Sequence, residues 1–145
     1  MLALRQLNAV TSIWTCGKEN KVARFVRTQY GTVLSRLVRS AVRGQTITYS
    51  ELAVQCHMPE RGNALGAALT PVLLSIARWC EEHDLPPLTS IVVRKSGVHQ
   101  NLPGSGFWEF KGFKDLKIGE LLVLTDEYHR QVFNYWQMPE LPAAK

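Results

Sequence analysis

Three arginines, Arg36, Arg39 and Arg43, stand three and four residues apart, the spacing that puts side chains on one face of a helix. No acid interrupts them. Guanidiniums arrayed this way suit a polyanion, since each can direct two parallel hydrogen bonds at one phosphate. Upstream, Lys18, Lys21, Arg24 and Arg27 form a second cationic row. Tyr49 and Ser50 open one expected helix, and Arg61 and Asn63 open another. Backbone N–H groups at a helix start favour phosphate, and hydroxyl, amide and guanidinium side chains there add hydrogen bonds. Arg94 and Lys95 mark the base of an expected arm, with Lys111 and Lys114 beyond it, placed to touch a flanking backbone. The plain alternative makes Tyr49 a half-buried core aromatic and the cationic rows solvated helix faces.

Catalytic chemistry is not visible. Cys16, Cys56 and Cys80 are odd in number, far apart and without Cys-x-x-Cys spacing, so neither a disulfide framework nor a zinc site is indicated. Adjacent Cys56 and His57 would point about 100° apart on a helix, giving a small buried thiol beside a surface imidazole. His83, His99 and His129 have neither metal spacing nor a partner carboxylate. Glu81, Glu82 and Asp84 crowd a helix end without a base. Gly104-Ser105-Gly106 lacks the lysine and helix that would make it a phosphate loop. The expectation is a non-enzyme with no catalytic residue, no metal and no cofactor.

The elements that must position these side chains follow from hydrophobic periodicity. Residues 18–27 read as a helix that Gly31 interrupts. A clearer helix covers 32–43, with Val33, Leu34, Leu37, Val38, Ala41 and Val42 on one face and Gly44 as its stop. Thr46-Ile47-Thr48 is short and β-branched, and Thr48 with Glu51 three residues on is a capping box. That helix carries Leu52, Ala53 and Cys56 inward and ends at His57-Met58-Pro59. Leu65, Leu69, Val72, Leu73, Ile76 and Cys80 form one stripe, on either a fresh helix begun at Thr70-Pro71 or one kinked helix. Residues 88–95 read as a strand, 96–106 as a hairpin arm, and Phe107-Trp108-Glu109-Phe110 as the returning strand. Trp108 and Phe107 there would stack on a base or, more simply, cover the core. Leu121-Leu122-Val123-Leu124 reads as a third strand or a short helix, and Thr125 caps a last helix burying Val132, Phe133 and Trp136. The first fifteen residues read as a loose segment or short strand, and the tail after 137 is expected to fray.

Helix, short β-bridge, helix, turn, helix, strand, wing, strand is the winged helix-turn-helix order. The expected fold is α+β, a winged helix-turn-helix-like single domain, mostly helical with a small antiparallel β-sheet. Residues 1–28 form a basic N-terminal extension, 30–112 the core, and 113–145 the C-terminal helix and tail.

A chain of 145 residues, 46% hydrophobic and 20% charged, has the makeup of one globular domain rather than a disordered segment. No apolar run is long enough for a membrane span, and the N-terminus does not read as a signal peptide, so the expected location is cytoplasmic. The net charge of +5 is unevenly spread. Residues 1–50 hold eight Lys/Arg against Glu19 alone, a local +7, and residues 51–145 are at −2. Such asymmetry points to a polyanion partner.

Gly44-Gln45-Thr46-Ile47-Thr48-Tyr49-Ser50-Glu51-Leu52-Ala53, then Asn63-Ala64-Leu65-Gly66-Ala67-Ala68-Leu69, then a Pro-rich turn into Ile91-Val92-Val93, resemble the C-terminal domain of alkylguanine DNA alkyltransferases and their catalytically inactive alkyltransferase-like relatives, over roughly residues 30–110. The resemblance implies a DNA-binding helix-turn-helix, with Tyr49 matching the family tyrosine that contacts a phosphate. Departures limit it. The family's Pro-Cys-His-Arg stretch falls on Ser90-Ile91-Val92-Val93-Arg94-Lys95, which holds no cysteine, so alkyl transfer is excluded. The family's intruding arginine falls on Asn63, with Arg61 two residues earlier, which puts base flipping in doubt. Leu85-Pro86-Pro87-Leu88 and Leu102-Pro103-Gly104-Ser105-Gly106-Phe107 also resemble a loose set of small bacterial and phage proteins that supplies no function.

The expected function is non-enzymatic DNA binding, through the helix-turn-helix and the basic N-terminal helices. The alternative is a protein-binding adaptor or inhibitor, of phage or mobile-element type, that uses the winged helix as a docking scaffold.

Overall fold

Val33, Leu34, Leu37 and Ala41 are all buried and define the inner face of the first helix, α1 (Lys21–Val42). The computed structural model of the protein describes residues 21–113 and 115–137. The expected strand among the first fifteen residues, Cys16, Lys18, Lys114 and the tail lie outside the described residues. Gly31 does not break the helix as expected. A glycine inside an exposed helical stretch costs only about 1 kcal/mol relative to alanine. Burial of Tyr30, Val33 and Leu34 around it contributes about 1.5–3 kcal/mol for each large apolar side chain. The expected boundary between extension and core therefore falls inside one helix.

At its other end α1 stops where the sequence places the stop. Gly44 adopts φ +67°, its N–H donates to the Ala41 carbonyl at 3.1 Å, and the Gln45 N–H donates to Ser40 at 2.9 Å. Both bonds satisfy terminal carbonyls in the pattern of a left-handed helix cap. The chain turns into β1 (Ile47–Thr48) and directly into α2 (Tyr49–Gln55), whose capping box is complete. Thr48 Oγ1 accepts from the Glu51 N–H, and the Glu51 carboxylate accepts from the Thr48 N–H, each at 3.2 Å. Leu52, Ala53 and Cys56 are buried as expected, while His57 is exposed at φ +56° in the following turn.

One long helix follows, α3 (Gly62–Glu82), with Pro71 inside it, so the chain takes the single-helix alternative. The carbonyl that Pro71 leaves without an N–H partner belongs to Ala67, which is exposed to water. Leu69, Val72, Ile76 and Cys80 are buried along its inner stripe. The expected strand at 88–95 is a 3-10 turn (Leu88–Ile91) followed by the two-residue β2 (Val92–Val93).

β2 pairs with β1 in parallel, Ile47 opposite Val92 and Thr48 opposite Val93. This corrects the expected antiparallel sheet. The connection between the two strands runs through α2, α3 and the 3-10 turn, a crossover that returns the chain in the same direction. The expected returning strand is also replaced: residues 107–110 lie in α4 (Ser105–Lys111). Phe107 and Trp108 are both buried and meet edge to face at 5.1 Å between ring centroids. Adjacent residues of a strand point to opposite faces, so a helical turn is what lets both rings enter one apolar cluster. Trp108 Nε1 donates to the Pro103 carbonyl at 3.1 Å.

The last helix, α5 (Ile118–Trp136), absorbs the Leu121–Leu124 run, and Thr125 is buried within it rather than capping it. Val132 and Trp136 join the main core with α1, α2, α3 and β2. Leu121 joins Leu102, Phe107 and Trp108 in a second cluster. The described residues are thus mostly helical with one small parallel strand pair, and no helix among them is long and apolar enough to cross a membrane.

Candidate nucleic-acid interface

The left-handed turn at Gly44 folds Gln45 and Thr46 back beside the last turns of α1. Together with α2 they enclose a cleft of about 280 Å³. Arg36, Arg39 and Arg43 line it from α1 with Ser40, Ile47 of β1 contributes to its wall, and Glu51 and Gln55 line it from α2. The three arginines belong here because they flank the buried Val33–Leu37–Ala41 face on the side where α2 docks. Arg39 and Arg43 are exposed and Arg36 half-exposed. Among the described residues none of the three forms an ion pair. Among the described residues the one acid in the cleft, Glu51, already holds the Thr48 N–H. Three guanidiniums against one partly committed carboxylate leave a net positive recess.

Tyr49 points elsewhere. Its ring packs against the core, and its hydroxyl accepts a hydrogen bond from the Gly104 N–H at 2.7 Å. Burial raises the phenol above its ordinary pKa, against the opposing pull of that N–H and of the Arg94 charge. A Cβ placed on Gly104 would come within 2.8 Å of the Tyr49 oxygen, so glycine is required for the approach. Ser50 donates to the Glu60 carbonyl at 3.3 Å, tying the start of α2 to the turn before α3. Arg61 and Asn63 are exposed at the α3 N-terminus, where no side chain caps the helix, and Gly62, Ala64, Gly66 and Ala67 beside them are exposed too.

Beyond β2, Arg94 and Lys95 are exposed. The arm is a closed loop rather than a hairpin. Arg94 N–H donates to Leu102 at 3.0 Å and Asn101 N–H donates to the Arg94 carbonyl at 2.9 Å, with Gly97 and Asn101 at positive φ. Val98 stands out on it, 79% exposed. Lys111 lies 5.4 Å from the centre of the Tyr128 ring, a contact within the fold.

The sequence-derived residues therefore divide into separate groups. Arg36, Arg39 and Arg43 share the cleft, on the Glu51 and Gln55 flank of α2. Ser50 faces the other flank, toward Glu60 and the Arg61/Asn63 helix start, since residues 50 and 55 are roughly 140° apart on a helix. Tyr49 joins the Arg94 arm. The cleft walls Gln45, Thr46, Glu51 and Gln55 escaped sequence reasoning. The Gly44 stop held the signal for the first two, because a left-handed cap reverses the chain over the turn it closes.

Other reactive groups are muted. Burial pushes the Cys80 thiol up to about 11 and also raises Cys56, despite the lowering influence of Arg36. Among the described residues no group of three or more His, Cys, Asp or Glu could hold a metal ion. His129 reaches the Ser90 carbonyl at 2.7 Å through Nε2, and the neighbouring hydroxyls of Thr89, Ser90 and Thr125 are buried. Burial lowers the His129 pKa, opposed by Ser90 and Asp126. Comparisons with protein-family models, with curated proteins and with solved structures find no match to the chain.

Proposed function

We propose that the protein binds DNA without chemistry on it, as a helix-turn-helix domain of alkyltransferase-like, winged-helix type in which the 94–104 arm stands in the place of the wing. The observation that carries this is the cleft of Arg36, Arg39 and Arg43, cationic and free of ion pairs among the described residues. Paired surface arginines would be spent on their partners, whereas these remain available to release counterions from a phosphate backbone. Support also comes from α2, turn and α3, with Arg61 and Asn63 exposed at the second helix start, and from Arg94 and Lys95 on the arm. Tyr49 acts in this reading by holding the arm, and Ser50 by holding the turn.

Fluorescence anisotropy with a labelled duplex at two salt concentrations tests it. Each phosphate that is no longer neutralised lowers the slope of log K against log salt by about 0.9, so reversing Arg36, Arg39 and Arg43 to Glu should flatten it by up to about 3. Undetectable binding at low salt, to duplex and single strands alike, overturns the reading.

Exposed Ile118, Leu122 and Val123 on α5 favour a second reading, a scaffold that docks a protein partner. Indifference of cellular activity to the arginine reversals, with loss on Leu122→Asp, would select it.

A further inference from the structure

We infer that the arginine cleft receives a terminal phosphomonoester of a DNA strand, so that the protein prefers ends to interior duplex. This rests on the DNA-binding reading above and names the part of DNA that the cleft takes.

Shape is the first ground. An interior phosphodiester continues into sugar on both sides and lies on the convex surface of the duplex. The three arginines instead line a recess bounded by α1 on one side, α2 on the other and Ile47 of β1. A group free at one end, as a terminal phosphate is, can enter such a recess without carrying chain through it. At about 280 Å³ the space is large enough to admit a phosphate group.

Charge is the second ground. Arg36, Arg39 and Arg43 against Glu51 leave a formal +2 in the recess. An interior phosphodiester brings one negative charge. A phosphomonoester brings about −1.5 to −2 at neutral pH, with a second pKa near 6 and three acceptor oxygens. The monoester therefore comes closest to neutralising the cleft, and three oxygens suit three guanidinium forks. Glu51 does not oppose this strongly, because the Thr48 N–H holds its carboxylate at the helix cap. Gln45 and Gln55 add neutral amide donors at the rim, which can bond phosphate or sugar oxygens without changing the charge balance.

The experiment compares one short duplex in four forms: 5′-phosphorylated, 3′-phosphorylated, unphosphorylated, and closed by hairpins at both ends. Binding is read by anisotropy at about pH 7.5 and about pH 5, with a serine phosphopeptide as a competing probe. A charge-assisted set of hydrogen bonds gained at the monoester predicts about tenfold or greater preference for a phosphorylated end. That preference should shrink at the lower pH, as the dianion takes up a proton. It should vanish in Arg39→Gln and in Arg43→Gln, both exposed positions whose variants can be checked for folding by circular dichroism. Equal affinity for phosphorylated, unphosphorylated and closed duplexes, all salt-sensitive, overturns the inference and leaves DNA binding standing. Absence of binding to every duplex overturns both. Tighter binding of the phosphopeptide than of any DNA overturns the assignment to a strand end.

Discussion

Replacing Tyr49 by phenylalanine separates a residue that holds the fold from one that holds DNA. The hydroxyl accepts from the Gly104 N–H at 2.7 Å in part-buried surroundings. Removing it leaves that N–H without its partner, a loss of about 1–2 kcal/mol, partly offset because no hydroxyl need then be desolvated. A net loss of about 1 kcal/mol lowers Tm by about 3 °C in a chain of this size. Gly104→Ala attacks the same tether from the other side. Its Cβ would meet the Tyr49 oxygen at 2.8 Å and Cζ at 3.3 Å, so the ring must shift and the hydrogen bond is broken, at about 1–3 kcal/mol. In the Tyr49→Phe background the clash with the oxygen no longer exists, and the remaining approach to Cζ needs only a small movement. The double variant should therefore be more stable than the sum of the two losses implies, with a coupling of about 1 kcal/mol. Urea denaturation of the four proteins measures the cycle, and anisotropy should find Tyr49→Phe within about twofold of the parent for DNA. Additive losses, or an unchanged Tm with about tenfold weaker DNA binding, would refute the tether and return Tyr49 to the role of phosphate ligand.

Thr48→Ala removes one half of the reciprocal cap on α2 and should cost about 1 kcal/mol in the same urea titration. Gly44→Ala places a Cβ at φ +67° and 2.7 Å from Gln137 Nε2. The Gln137 side chain can swing away, so the backbone conformation dominates at about 1–2 kcal/mol, and adding Gln137→Ala should not rescue it. Burial holds His129 below its ordinary pKa of 6.5, so the unfolded chain accepts a proton that the folded chain resists. Its contribution to stability is complete above 6.5 and is lost as pH falls through that value toward the folded pKa. Tm followed from about pH 7.5 to about pH 5 should drop, and His129→Gln should flatten that part of the profile.

Where local rules dominate, residue patterns were enough to place structure. The Thr48/Glu51 box, the Gly44 stop, and the stripe Leu65, Leu69, Val72, Leu73, Ile76 and Cys80 each depend on neighbours within a few positions. All three are present, with Leu65 and Leu73 of the stripe only half-buried. Gly31 failed as a breaker because its penalty is small beside the burial of a long apolar face on α1. At Pro71 the single-helix alternative holds because burial along α3 offsets a proline penalty of about 3 kcal/mol. Strand direction was not legible. Nothing within Val92-Val93 specifies that its partner is Ile47-Thr48, more than forty residues earlier. Phe107-Trp108-Glu109-Phe110 has the aromatic content of a strand, and only its second cluster with Leu102 and Leu121 decides that both rings face one way.

The candidate site was legible in its charges and not in its shape. A row at 36, 39 and 43 announces a cationic helix face, and such faces are most often solvated and open. What converts this one into a recess is the pairing of a left-handed cap with a helix that starts five residues later. Gly44 reverses the chain, β1 carries it only two residues, and the capping box at Thr48 starts α2 before the chain can leave the arginines. Lengthening that connection therefore discriminates between an open face and a recess. Two glycines inserted between Gln45 and Thr46 would leave every arginine in place and the α1 face cationic, while moving Gln45 away and loosening α2 from it. Binding that depends only on the charged face would keep its salt slope and affinity. Binding that depends on the recess would keep most of the slope and lose the preference for a phosphorylated end.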